Sequence, residues 1–314
     1  MEKHMASSMN LSLHSPELLA LVNSKLFLDR FRNEIGKRIL YEVQLHDPIA
    51  VEHDVDKPVF DEILAHIQNV WTRLGSEEPH WSVVSTSDFR ADKIKGTIGR
   101  FNDTGKAEAA NLARLLARVG FRISNPLVLL EYGCGVGRVT RWLAEMFERV
   151  VGVDISLKHL SQAQNYFMSE KVSNVEVIHI SRLCEIEDLP SFDFLYSKIV
   201  LQHNPPPIIS RIFAVLCSKL RPGGVGVVQI PTYALGYSFR AKEYLTKMHQ
   251  LNGMEMHVLP QPVVFNILDS CGCVPLEVSR DHLVTTVDFV STTFVFQKRN
   301  NGEVHRHVGL YNQG

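Results

Sequence analysis

Apolar residues along the chain recur at two different spacings. Phe60, Ile63, Leu64, Ile67, Trp71 and Leu74 stand three or four apart and predict a helix that stops at Gly75. Upstream, Ser15-Pro16-Glu17 reads as an N-cap followed by proline in a first turn. Residues 46–58 are polar with two prolines and read as a loop. Residues 76–105 hold Trp81, Phe89 and Phe101 without periodicity and read as an irregular arm. From about residue 106 the spacing alternates. Leu112, Leu115, Leu116 and Val119 predict a helix ending at Gly120. Residues 126–131 are then apolar without alternation, as in a strand buried on both faces. Val139, Trp142, Leu143, Met146 and Phe147 form a helical stripe. Strands at 149–154, 175–180, 192–196 and 225–230 are interleaved with helices through Leu157, Leu160 and Phe167 and through Ile209, Ile212, Phe213, Leu216 and Leu220. Such an alternation predicts a doubly wound α/β fold, a parallel sheet with right-handed crossovers. An aromatic stretch with Tyr233, Tyr237, Phe239 and Tyr244 follows, then a short helix at 263–270 and strands at 274–278 and 291–296.

The expected organisation is therefore a helical extension and arm over 1–105, a core over 106–300 interrupted by an insert at 232–262, and a polar tail at 301–314. Hydrophobic residues make up 45% of the 314, enough for a sizeable core. Lys and Arg, 33 together, balance 34 Asp and Glu, which argues against a protein built to grip nucleic acid. No apolar run is long enough to span a bilayer, and the N-terminus lacks a signal-peptide core. Five cysteines, Cys134, Cys184, Cys217, Cys271 and Cys273, without framework spacing read as reduced thiols of a cytoplasmic protein. Cys271-Gly-Cys273 is too tight for the usual redox or zinc pair, and no metal-ligand spacing is evident, so no metal is expected.

The chemistry concentrates at Glu131-Tyr-Gly-Cys-Gly-Val-Gly137. A strand ends there and a glycine loop opens a helix, at the carboxyl end of the sheet where ligands of such folds bind. The dinucleotide fingerprint needs a glycine at 138, and Arg138 stands there instead, so an oxidoreductase fits poorly. The next strand ends in Asp154, a carboxylate able to accept hydrogen bonds from both ribose hydroxyls of a nucleoside.

With these elements the sequence resembles the class I S-adenosylmethionine-dependent methyltransferases. The matching residues are Glu131 to Gly137, Gly152-Val-Asp154, Phe192 to Ser197 with Val200-Leu-Gln-His203, and Leu220-Arg-Pro-Gly-Gly224. The resemblance covers roughly residues 106–300. It implies a Rossmann-like sheet of seven strands, mostly parallel, whose last pair is antiparallel. It implies S-adenosylmethionine as cofactor and S-adenosylhomocysteine as product. Gly133, Cys134, Gly135 and Gly137 would meet the methionine part, Glu131 its ammonium, Asp154 the ribose and Ile155 the adenine. Ser181, or Glu185 if the loop is shifted, would meet the adenine amine, and Ser197 and Lys198 would line the pocket. The pattern is also similar to bacterial small-molecule and saccharide methyltransferases, which implies a small-molecule or saccharide acceptor.

A hydroxyl acceptor profits from a base, and His203 is the candidate, with an equally plain reading as a packed, hydrogen-bonded histidine. His257 and His282 are weaker candidates. Tyr233, Tyr237, Arg240 and His257 in the insert could touch the acceptor, or merely form a lid. O-methylation is the leading expectation. N-methylation, or a non-catalytic module that binds the cofactor, are the alternatives. Oligomeric state is not readable from the sequence.

Overall fold

The computed structural model describes residues 29, 33, 48–123, 126–251, 253–281, 284–286 and 288–300. The chain divides into two units, Met1–Pro48 with Thr286–Asp288, and Ile49–Thr285 with Phe289–Gly314. The second holds everything below. The expected helix start at Ser15-Pro16-Glu17, the candidate His282 and the tail 301–314 lie outside the described residues.

After β1 (Ala50–Val51), two long helices, α1 (Lys57–Glu77) and α2 (Ile94–Arg118), precede β2 (Val128–Tyr132), α3 (Thr140–Leu143), β3 (Arg149–Asp154), α4 (Leu157–Ser169) and β4 (Val175–His179). Then come α5 (Leu183–Glu187), β5 (Phe192–Ser197), α6 (Pro206–Lys219), β6 (Leu220–Ala234), β7 (Ser238–Phe239), α7 (Ala241–Lys247), α8 (Gln261–Ser270), β8 (Cys273–Arg280) and β9 (Phe289–Lys298). α1 begins where the Asp56 side chain accepts from Val59 N at 3.1 Å, with Pro58 in the first turn, both of which favour a helix start.

Seven strands form one sheet in the order β4-β3-β2-β5-β6-β9-β8. β2 to β6 are mutually parallel, and β9 runs against both its neighbours. This is the seven-stranded, doubly wound arrangement expected. The small strands β1 and β7 pair in parallel and tie the N-terminal segment to the insert.

The unalternated apolar strands follow from burial on both faces. Successive residues point to opposite sides of a strand. Leu130, Val151, Val153, Leu195, Val228, Phe294 and Phe296 join one core, with Ile63 and Leu64 of α1 and Ile208 to Leu216 of α6. Leu129, Val150, Phe194, Tyr196, Val227 and Val295 join the other, with Leu112 and Leu116 of α2 and Val139, Leu143 and Phe147.

Local structure departs from the sequence reading at three places, the first being the expected loop at 46–58, which holds β1 and the first residues of α1. The stretch expected to be irregular up to residue 105 is helical from Ile94, so α2 runs through the expected boundary. Its buried positions are Phe101, Gly105, Glu108, Ala109, Leu112 and Leu116, a helical stripe in which a glycine and an acid replace apolar side chains. The stripe expected from Val139 to Phe147 is regular helix only over α3, then continues in turns closed by Ala144 N to Thr140 O and Phe147 N to Leu143 O. No helix among the described residues is long and apolar enough to cross a membrane.

Candidate active site

β2 and β5 are neighbours, and the chain leaves β2 towards β3 on its other side, so a crevice opens at their carboxyl ends. The glycine loop fills its floor. Gly133 N and Cys134 N both donate to Val153 O, at 2.7 and 3.1 Å, folding the loop over the end of β3. Gly133, Gly135 and Gly137 have φ of +80°, +55° and +79°, where any side chain is strained. Space forbids one as well: a Cβ at Gly133 would stand 2.3 Å from Val200 Cγ1, and one at Gly137 2.5 Å from the Phe167 ring.

Asp154 is fixed from two sides. Its Oδ2 accepts Gly135 N at 2.8 Å and its Oδ1 accepts Ser156 N at 2.8 Å. A carboxylate has about four acceptor sites, so both oxygens keep capacity for a vicinal diol. Glu131 is buried, and its Oε2 accepts the Thr140 hydroxyl at 2.6 Å. Burial pushes its carboxyl up to about 8 despite that bond. No described cation forms an ion pair with it within 4 Å.

One cavity joins these groups. Glu131, Gly133, Cys134, Gly135, Asp154, Ile155 and Lys198 line it, as the sequence leads one to expect. Gly137 and Ser197 stand behind the wall: Gly137 packs on Phe167, and Ser197 Oγ donates to Tyr132 O at 3.0 Å. The rest of the lining includes Trp71, Ser82, Val83, Glu108, Arg138, His159 and Asn204. Trp71 comes from α1 and Glu108 from α2, so the N-terminal helices form a wall of the site. Two glycines permit that approach. A Cβ at Gly75, one turn after Trp71, would stand 2.4 Å from Ser156 Oγ, and one at Gly105, one turn before Glu108, would stand 1.9 Å from Arg138 O. His159 is held by Ser82 Oγ at 2.9 Å, and burial lowers its pKa.

At the end of β5, Glu108 Oε1 accepts the Tyr196 hydroxyl at 2.9 Å and Lys198 Nζ at 2.7 Å. Asp281 Oδ2 lies 3.5 Å from the same ammonium.

Ser181 and Glu185 turn towards each other instead of the cavity. Ser181 N, Ser181 Oγ and Arg182 N all donate to Glu185 Oε2, at 2.6, 3.1 and 3.0 Å. These bonds, that of Ser181 N foremost, pull the Glu185 carboxyl down to about 2. Neither residue lines the cavity.

His203 lies just behind the wall, with its ring centroid 5.4 Å from that of Trp71. Its Nδ1 stands 2.8 Å from Glu255 O, and a carbonyl only accepts, so Nδ1 carries the hydrogen. Nε2 then accepts from Gln202 Nε2 at 3.1 Å. Burial pushes the imidazole down to about 4, so it is neutral near pH 7. Tyr237 and His257 belong to a neighbouring polar cluster. The Tyr237 hydroxyl lies 2.8 Å from His257 Nδ1, His257 Nε2 lies 3.0 Å from Glu255 Oε2, and Tyr244 donates to Glu255 Oε1 at 2.9 Å. Tyr233 is half-buried in β6 and Arg240 is exposed ahead of α7. None of these four insert residues lines the cavity. No group of three or more His, Cys, Asp or Glu among the described residues is placed to hold a metal ion.

Sequence reasoning missed Trp71, Ser82, Glu108, Arg138 and His159. Arg138 was legible only as a departure from the dinucleotide pattern. Glu108 carried one signal, an acid at a helical interval from Phe101 and Leu112.

Comparison with known proteins now places this geometry. A family model described as a methyltransferase domain matches residues 129–224. Trans-aconitate 2-methyltransferase of Deinococcus radiodurans is 33% identical over 135 residues, 42% of this chain and 46% of that protein. Phosphoethanolamine N-methyltransferase 2 of Caenorhabditis elegans is 32% identical over 124 residues, 39% of this chain and 27% of that protein. The matched stretch thus spans less than half the length of either relative. The crystal structure of magnesium protoporphyrin IX methyltransferase from Synechocystis, with bound S-adenosylhomocysteine, superposes with a TM-score of 0.51 at 18% identity, covering 76% of this chain and 99% of that one. Likeness at that identity is likeness of fold. The domain match identifies a methyltransferase domain at residues 129–224, on the fold shared with that S-adenosylhomocysteine-bound enzyme.

Proposed function

We propose that this protein transfers the methyl group of S-adenosylmethionine to a hydroxyl of a small molecule or saccharide. The observation that carries the reading is Asp154, its two oxygens fixed by the Gly135 and Ser156 amides beside a cavity floored by the glycine loop. The donor set suits the cofactor. Asp154 can accept a diol, Glu131 offers a buried carboxyl with no ion pair within 4 Å among the described residues, and apolar Ile155, Val83 and Trp71 offer a surface to a planar ring. When bound, S-adenosylmethionine supplies an electrophilic methyl carbon on sulfur. The chain's own part is to hold donor and acceptor in line and to exclude water, which can supply much of the rate.

For a hydroxyl acceptor the base would be His203. It is neutral near pH 7, and its Nε2 lone pair is held only by the Gln202 amide, which an acceptor hydroxyl can replace. A second reading, an amine acceptor, is favoured by the same bond. As it stands Nε2 is engaged, and an amine that reaches the site unprotonated needs no base.

The first test is calorimetric titration with S-adenosylmethionine, S-adenosylhomocysteine and NAD, for the wild type and Asp154→Ala. Binding of the first two but not NAD, weakened in the variant, supports the reading. Absence of binding by the wild type removes it. Methyl transfer to panels of hydroxyl and amine acceptors, with His203→Gln alongside, separates the two readings. Loss confined to hydroxyl acceptors supports O-methylation, and full retention of activity supports the amine.

A further inference from the structure

The loop that leaves β5 takes a backbone conformation its sequence does not favour. Ile199 has φ of +56°, a left-handed angle that is an outlier for a β-branched residue, and it lines the cavity. Such a residue persists only where its surroundings hold it. The holder is a side chain of the neighbouring strand: Gln229 of β6 accepts Ile199 N through Oε1 at 2.8 Å.

Gln229 is buried, and its amide is fully used. Its Nε2 donates to Gln202 Oε1 at 3.0 Å and to Ser291 Oγ of β9. Gln202, also buried, brings its own Nε2 to 3.1 Å from His203 Nε2. The other ring nitrogen, Nδ1, stands 2.8 Å from Glu255 O. A side-chain amide can be turned either way, but this chain ends on two backbone groups whose roles are fixed. A backbone N–H only donates, so Gln229 faces Ile199 with its oxygen and Gln202 with its nitrogen. Gln202 must then face Gln229 with its oxygen and His203 with its nitrogen, and the ring answers with a lone pair on Nε2. From the opposite end, Glu255 O only accepts, so Nδ1 holds the hydrogen. Both ends require the same tautomer. A hydrogen on Nε2 would point at the Gln202 amino group and leave two buried donors opposed.

We propose that Gln229 is a positioning residue, which holds the strained turn at Ile199 in the cavity wall and, through Gln202, keeps a lone pair instead of a hydrogen on Nε2 of His203. The inference deepens the reading of His203 as the base and rests on it for its catalytic consequence, a ring already in the form that can take a proton from an acceptor. The titratable groups around the ring are Glu255 and His257 of the insert, with His66 of α1 3.6 Å from Glu255 Oε1. All three are untouched in the variants that follow.

Nitrogen NMR on the full chain tests this, with the His203 signals identified by their loss in His203→Gln. In the wild type a coupling across the hydrogen bond should join the Gln202 side-chain nitrogen to His203 Nε2, and the ring should titrate near about 4. In Gln229→Met the Gln202 oxygen loses its donor and turns to accept from the ring, while Nδ1 still donates to Glu255 O. The ring then takes a proton more readily. Its midpoint should rise to about 5 or above, a tenfold or greater gain in proton affinity, and the Ile199 amide should exchange faster with solvent. Ser291→Ala, which leaves the bond from Gln229 to Gln202 in place, should keep the wild-type midpoint. A Gln229→Met protein that is less stable but has the wild-type midpoint and tautomer makes Gln229 a packing residue and overturns the proposal. If that variant does not fold, the wild-type coupling decides, and its absence overturns the proposal equally. A wild type that does not bind S-adenosylhomocysteine in a calorimeter would remove the cofactor reading and leave the NMR result standing, so the two failures are told apart.

Discussion

Gly105→Ala sets two effects of opposite sign against each other. Gly105 lies inside α2, and replacing a helix-interior glycine by alanine ordinarily stabilises by about 1 kcal/mol. Here the added Cβ would stand 1.9 Å from Arg138 O and 2.7 Å from its carbonyl carbon, both backbone atoms that cannot swing aside. To reach ordinary contact the helix must retreat by roughly 1.5 Å, and overpacking of that kind costs about 1–3 kcal/mol, sometimes more. The clash wins on these magnitudes. The expected result is a net loss of up to about 2 kcal/mol, with weaker binding of S-adenosylhomocysteine because α2 forms a wall of the cavity. The same helix supplies the controls. Gly96 and Gly99 are exposed and have nothing within 4 Å of a built Cβ, so Gly96→Ala and Gly99→Ala should show the propensity gain alone. Urea unfolding of the three variants is the assay. If Gly105→Ala gains stability as the two controls do, α2 is not docked on Arg138 and the argument for its wall of the cavity fails.

Glu131 makes the ligand-free protein sensitive to alkali. Its folded carboxyl holds a proton up to about 8, whereas an unfolded one releases it near about 4.3, so between these values the folded state binds more protons and stability falls as pH rises. Urea unfolding across that range should show the fall, and Glu131→Gln should flatten it; an unchanged slope would contradict the burial argument. His203 acts in the opposite sense: its folded pKa of about 4 lies below the unfolded value near about 6.5, so its contribution rises with pH between them. Nitrogen NMR should find its ring neutral and protonated on Nδ1 at pH 6, and a titration midpoint near 6.5 would refute the assignment. Trp71 lines the cavity while Trp81 and Trp142 do not. Tryptophan emission should therefore respond to S-adenosylhomocysteine in the wild type and fail to respond in Trp71→Phe at saturating ligand.

Much of the floor of the site could be read in the sequence because its parts lie within about one turn of a strand end. Gly133, Gly135 and Gly137 take left-handed backbone angles that favour glycine, and Asp154 stands at the end of the next strand. The adenine-side expectation at Ser181 or Glu185 met a different local solution. An acid three residues past an N-cap position satisfies the backbone amides of its own loop, and periodicity cannot tell that from an acid facing a ligand. The insert residues Tyr237 and His257 were likewise placed by composition, and they meet each other and Glu255.

By itself the sequence determined the doubly wound sheet, through strands apolar on both faces, and the glycine loop with its acid, through backbone conformation. Both are properties of contiguous residues. Only the tertiary structure decided the walls. Trp71 and Glu108 reach the cavity because Gly75 and Gly105 let α1 and α2 approach Ser156 and Arg138 across 81 and 33 positions of chain. Contacts of that range leave no periodic trace, since what they require of the sequence is the absence of a side chain at a single position.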